Sequence, residues 1–161
     1  MIYPSVPDKD VVAAVGRIAI QHGLLDYILR MTIKTLGGLT IQDALDATAR
    51  LGSRELRERV RKLARQRLGE GPALFRLEAI LHRAAKATNK RNALLHALWA
   101  RKLDGDAVIR DEDSHTFRAI PKPEELHEIA VMIEAIAKEL NSARLEGFLA
   151  EALQGKGPAG A

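Results

Sequence analysis

The stretch from Pro72 to about Leu103 constrains this chain most, because it carries apolar residues on most sides of the helix it would form. Leu74, Leu77, Leu81, Ala84, Thr88, Leu95 and Trp99 follow one helical face, while Ile80, Ala87, Leu94 and Leu98 follow another. A helix with so little polar circumference has to be covered by neighbours on several sides. The spacing therefore predicts a central helix of about thirty residues, with Pro72 in its first turn and the rest of the chain packed around it.

The remaining segments supply that cover. Pro4 and Pro7 keep the start extended, and Asp8 or Asp10 is placed to cap a helix running to Leu36, where Gly37 and Gly38 stop it. Within it Val11, Val15, Ile18, His22, Leu25, Leu29, Thr32 and Leu36 recur at intervals of four and three, the mark of a core or dimer helix. Thr40 caps a short helix reaching about Leu51, and Ser53 opens a third whose apolar stripe is only Leu56, Val60, Leu63 and Ala64. After the central helix, Leu103-Asp104-Gly105-Asp106 is a turn signal. It predicts a small β-hairpin that joins the tail of the central helix, or a short strand made from it, to residues 107–110, with residues 115–120 as a further piece able to pair. Pro121 and Pro123 then open the last helix, which buries Leu126, Ile129, Ile133, Ile136, Ala137, Leu140 and Phe148. The expected fold is all-α, a helical bundle of about five helices with a small β-hairpin excursion before the last helix. It occupies a single domain over residues 1–154, followed by a flexible tail, residues 155–161.

Composition narrows the class. With 47% hydrophobic and 29% charged residues the chain has the balance of a soluble globular domain. No uninterrupted apolar run approaches the ~18 residues of a membrane span, and no basic segment followed by an apolar one marks a secretory signal, so no membrane association is expected. The absence of cysteine excludes disulfides and thiolate metal sites and fits a cytoplasmic protein. The five histidines share no ligand-like spacing; neither a metal nor a cofactor is expected.

The formal charge of +4 is unevenly spread. Residues 1–102 hold 19 Lys and Arg against 9 Asp and Glu, a net +10, whereas residues 103–151 hold 5 against 12, a net −7. The basic part would attract a polyanion such as nucleic acid, unless its charge is met by the acidic part within or between subunits. Arg57, Arg61 and Arg65 lie along the third helix at four-residue intervals and are candidates for RNA-phosphate contact, although a solvated arginine-rich face would read the same way. No aromatic residue interleaves them, so base stacking there is not expected.

The chemistry-bearing stretch lies late in the central helix, in Asn89-Lys90-Arg91-Asn92-Ala93-Leu94-Leu95-His96. Asn92 and His96 stand four residues apart, on one helix face, and Arg91 is long enough to reach the same spot. This polar trio emerges from a background in which Leu94, Leu95, Leu98 and Trp99 all favour burial. A buried arginine would need a carboxylate, a partner subunit's polar groups or an anionic ligand. Asp26, one step off the apolar stripe of the first helix, could orient Arg91 or His96 from a neighbouring helix. The plainer reading makes it a satisfied polar group beside the core, and the same holds for His22.

Arg91-Asn92-x-x-x-His96 resembles the Arg-x(4–6)-His motif of the HEPN family of small all-helical domains. The resemblance implies that two protomers pair so that their motifs face one another, and that the chain is a metal-independent ribonuclease acting on single-stranded RNA, of toxin or defence type. It makes Arg91, Asn92 and His96 the catalytic set, with a homodimer as the working form and a nucleotidyltransferase-type antitoxin as a partner. The other reading is a noncatalytic HEPN-like module, in which the three residues bind a nucleotide or a protein partner or fix dimer register.

Overall fold

The structure is a computed structural model that describes residues 1–156. It is an all-helical bundle with a small antiparallel sheet inserted before the last long helix. The helices are α1 (Lys9–Gly37), α2 (Ile41–Thr48), α3 (Ser53–Leu68), α4 (Pro72–Leu95), α5 (Pro123–Leu145) and a short α6 (Phe148–Leu153). The strands are β1 (Ile2–Pro4), β2 (Leu98–Lys102), β3 (Ala107–Arg110) and β4 (Arg118–Ala119). Contacts group the described residues into two compact units: Met1–His22 with Ala87–Ile133, and Gly23–Lys86 with the chain from Glu134 onward.

The first unit holds the sheet, in the order β1-β2-β3-β4 with every neighbour antiparallel. The turn signal at Asp104-Gly105 closes its central hairpin. Gly105 adopts φ +96°, a conformation that side-chain-bearing residues rarely reach, and its amide donates to Lys102 O at 3.0 Å. The Asp106 amide donates to Asp104 Oδ1 at 3.1 Å. Trp99 then faces Ile109 and Ala100 faces Val108, so that Ala100, Val108 and Ile109 are buried. The predicted central helix is corrected here: it ends at Leu95, not near Leu103, and Leu98 and Trp99 belong to β2. The orphan carbonyl of Leu94 at the helix end accepts from the Trp99 indole Nε1 at 3.1 Å. The first residues form β1, with Tyr3 opposite Arg101, where only an extended lead-in was expected. Pro4 is tolerated there because β1 is an edge strand.

The second unit is built from helices alone. Thr40 caps α2 as expected, its Oγ1 accepting from the Asp43 amide at 3.1 Å. The far end of α2 is closed from α1, where the Arg30 guanidinium donates to the carbonyls of Thr48 and Leu51. Leu25, Leu29, Ile33 and Leu36 of α1, Leu56 and Val60 of α3, and Leu74, Leu77, Ile80 and Leu81 of α4 are all buried, as the periodicity required. The last helix breaks at Gly147, so Phe148 opens α6 instead of extending α5. Part of the expected tail is tied down: the Lys156 ammonium donates to the carbonyls of Arg67 and Leu68, at 3.1 and 3.0 Å, where α3 ends. Residues 157–161 lie outside the described part of the chain.

Lys9–Gly37 is long and apolar enough, by length and composition, to cross a bilayer. Single polar residues interrupt its apolar ones, so it holds no uninterrupted apolar run of that length. The helix also serves the fold: Val11, Ile18, Leu25, Leu29 and Ile33 are buried, as is His22, while Val12, Ile20 and Leu24 are exposed.

Candidate functional site

The end of α4 decides what the motif can do. His96 lies just beyond the last helical residue, yet its backbone amide still donates to Asn92 O at 3.0 Å, so one further helical turn carries the imidazole onto the Asn92 face. His96 is exposed, and its ring holds no hydrogen bond among the described residues. Leu95 and Leu98, expected to be buried around the motif, are instead 38% and 37% exposed, which leaves the surroundings of His96 open.

Arg91 and Asn92 are half-buried and bonded to one another: Arg91 Nη1 donates to Asn92 Oδ1 at 2.8 Å. That bond occupies the amide oxygen and leaves the Asn92 NH2 as a donor. No carboxylate pairs with Arg91 among the described residues, and its buried Nε has no hydrogen-bond partner. A guanidinium in that state retains unspent charge and an unspent donor.

Asn92 and His96 share one wall of an open cavity of about 580 Å³ with Asn89 and Ala93. The opposite wall is the turn Asp111–Ser114, between β3 and β4. Every one of these residues belongs to the first unit. Arg91 does not line the cavity; it supports it through Asn92. One turn earlier on α4, buried Thr88 meets buried His22 at 3.0 Å, so His22 is a satisfied polar group beneath the helix that carries the motif.

The acidic wall is held in place. Asp111 accepts from Arg118 Nε at 3.2 Å and Nη2 at 2.8 Å, and these bonds keep its carboxyl below the usual carboxylate range. The Ser114 amide donates to Asp111 O, and Ser114 Oγ bonds Thr116, which stitches the turn shut. No family model, curated protein or solved structure matches this chain.

The other candidate residues lie in the second unit and serve it. Asp26 Oδ2 accepts from Ser53 Oγ at 2.8 Å, and its charge acts on Arg57. Arg57 is only 8% exposed; burial pulls its guanidinium below the ordinary value, and Asp26 works in the opposite direction. Of the three arginines expected to meet phosphate, Arg57 is thus turned inward, while Arg61 and Arg65 converge on Glu78 at 4.0 and 2.8 Å. Among the described residues no group of three or more His, Asp or Glu is arranged to hold a metal ion.

Two parts of the site escaped the sequence reading. Asn89 lies three residues before Asn92 and seven before His96, so helical spacing alone could have placed it on their face. No signal in the sequence places the turn Asp111–Ser114 opposite the motif.

Proposed function

We propose that this chain is a metal-independent endoribonuclease of HEPN type that cleaves single-stranded RNA at a composite site made by two copies. The observation that carries this reading is the exposed His96 imidazole at an open cavity, beside an Asn92 whose amide is oriented by Arg91. An imidazole has a ring nitrogen that can accept a proton and, once protonated, can donate it, so His96 can serve as base or acid. The 2′-hydroxyl loses its proton to one His96, its oxygen bonds to phosphorus, and the bond from phosphorus to the 5′-oxygen breaks as the second His96 protonates the leaving oxygen. The products are a 2′,3′-cyclic phosphate and a 5′-hydroxyl. Arg91 acts from behind the cavity wall by orienting Asn92, whose NH2 holds the phosphate in register.

A homodimer is part of the proposal, since one chain supplies one imidazole. On α1, the exposed Val12 and Ile20, eight residues apart within the first unit, form an apolar stripe, and Ile20 is 67% exposed. Such a stripe suits a second copy better than lipid, because the same helix also carries His22, Asp26 and Arg30. Ile20→Glu is expected to convert a dimer to monomers in analytical ultracentrifugation and to lower RNA cleavage in parallel. An unchanged mass would remove α1 from the interface.

The noncatalytic module remains the second reading, and one observation favours it: Arg91 does not line the cavity. The two part in a simple assay. Incubation in EDTA with unstructured RNA and with DNA of the same sequence is expected to cleave only the RNA, since only RNA carries the attacking hydroxyl. Intact RNA across varied sequences would leave binding as the function. Whether the chain acts as a toxin or defence effector, with a nucleotidyltransferase-type antitoxin beside it, is part of the same proposal, as is a cytoplasmic location.

A further inference from the structure

The cavity has two walls of opposite character, and only one suits a phosphate. Asn89, Asn92 and His96 offer donors, and Arg91 stands behind them, whereas the facing turn offers carboxylates. Asp111 is spent on Arg118. Glu112 and Asp113 are exposed and hold neither an ion pair nor a side-chain hydrogen bond among the described residues. A phosphate placed against them would be repelled, so whatever occupies that side has to present hydrogen-bond donors.

We infer that the turn Asp111–Ser114 reads the nucleobase beside the cleaved bond, and that the base it selects is guanine. This rests on the ribonuclease reading for which bond the base flanks, while base binding by the cavity can be measured without cleavage. A carboxylate has two oxygens side by side and accepts only. Guanine alone among the four bases sets two adjacent donors, N1–H and N2–H, side by side on its Watson–Crick edge, with the acceptor O6 beyond N1–H. Adenine places the acceptor N1 next to its amino group, cytosine places N3 next to its own, and uracil flanks its single N3–H with two carbonyls. Each of those would set an acceptor against Glu112 or Asp113. The remaining edge of guanine, N7 and O6, accepts only, and it matches the amide NH2 group of Asn89 on the other wall, which leaves Asn92 to the phosphate. The cavity volume of about 580 Å³ is in the range that holds ligands of nucleotide size. Because Arg118 and Ser114 fix the turn, the two free carboxylates are presented without ordering a loop first.

The test is binding of guanosine, adenosine, cytidine and uridine 3′-monophosphates to the full chain, followed by amide NMR shifts. It is run on wild type, Glu112→Gln, Asp113→Asn and the double variant, with cleavage of guanine-containing and guanine-free RNA measured alongside. Guanosine monophosphate is expected to bind at least about tenfold more tightly than the other three, shifting Asn92 and the 111–114 turn, and the double variant is expected to bind all four alike. Equal affinities in wild type, or a guanosine preference that survives in the double variant, would overturn the inference whether or not RNA is cleaved. Guanosine preference without any cleavage would support this wall and overturn the ribonuclease reading instead. Cleavage indifferent to guanine, with four equal affinities, would do the reverse.

Discussion

His96→Ala is expected to lower kcat for cleavage of single-stranded RNA by about a hundredfold to ten-thousandfold, the usual worth of a positioned acid or base. The fold should barely register the change. His96 is exposed and its ring makes no hydrogen bond among the described residues, so removing it strands no buried group. Surface changes of that kind stay within about 0.5 kcal/mol. The bond from Arg91 to Asn92 remains, and so does the helical turn that ends at Asn92 O. A combination of full stability and lost turnover distinguishes a chemical role from a packing one. A variant that retains wild-type kcat would show that the imidazole does no chemistry.

Asp26→Ala is expected to do the opposite, lowering stability by up to about 3 kcal/mol, because it removes the half-buried carboxylate whose charge offsets that of the buried Arg57. For a chain of this size that is on the order of 10 °C in Tm. The cause is Arg57: it is 8% exposed, burial already works against its charge, and Asp26 is the opposing influence. Replacing both residues, as in Asp26→Ala with Arg57→Met, should recover part of the loss, because the uncompensated charge disappears with its partner. At a temperature where Asp26→Ala is folded, its kcat should match wild type, since the carboxylate is engaged by Ser53 and Arg57 within the second unit. Thermal denaturation together with turnover separates the outcomes. An unchanged Tm with impaired turnover would restore the idea that Asp26 orients the catalytic groups.

Local period and punctuation made most of the helices legible. The Thr40 cap, the stop at Gly37 and Gly38, and the stripe from Val11 to Leu36 are read directly from neighbouring residues, because helix ends and amphipathic faces are short-range properties. The end of α4 was not legible in the same way. Leu95, Leu98 and Trp99 fit a helical face as well as they fit a strand, and the choice was made by pairing with Ala107–Arg110 and with Ile2–Pro4, a partner about a hundred residues away. The site divides along the same line. Asn89, Asn92 and His96 share a spacing that any helix would honour, whereas the acidic wall reaches them only through the tertiary path of β3 and its turn. Arg57 was read as part of a basic crest because its neighbours are basic; its inward turn depends on Asp26, thirty-one positions earlier, and sequence order does not reveal that meeting.

The most direct test of the central claim is mass spectrometry of the 3′ ends left on single-stranded RNA after incubation with the protein in EDTA, wild type beside His96→Ala. The account predicts 2′,3′-cyclic phosphate ends with matching 5′-hydroxyls from wild type, and their disappearance in the folded variant. Products with 3′-hydroxyl and 5′-phosphate ends, or cyclic phosphate formed equally by both proteins, would contradict it.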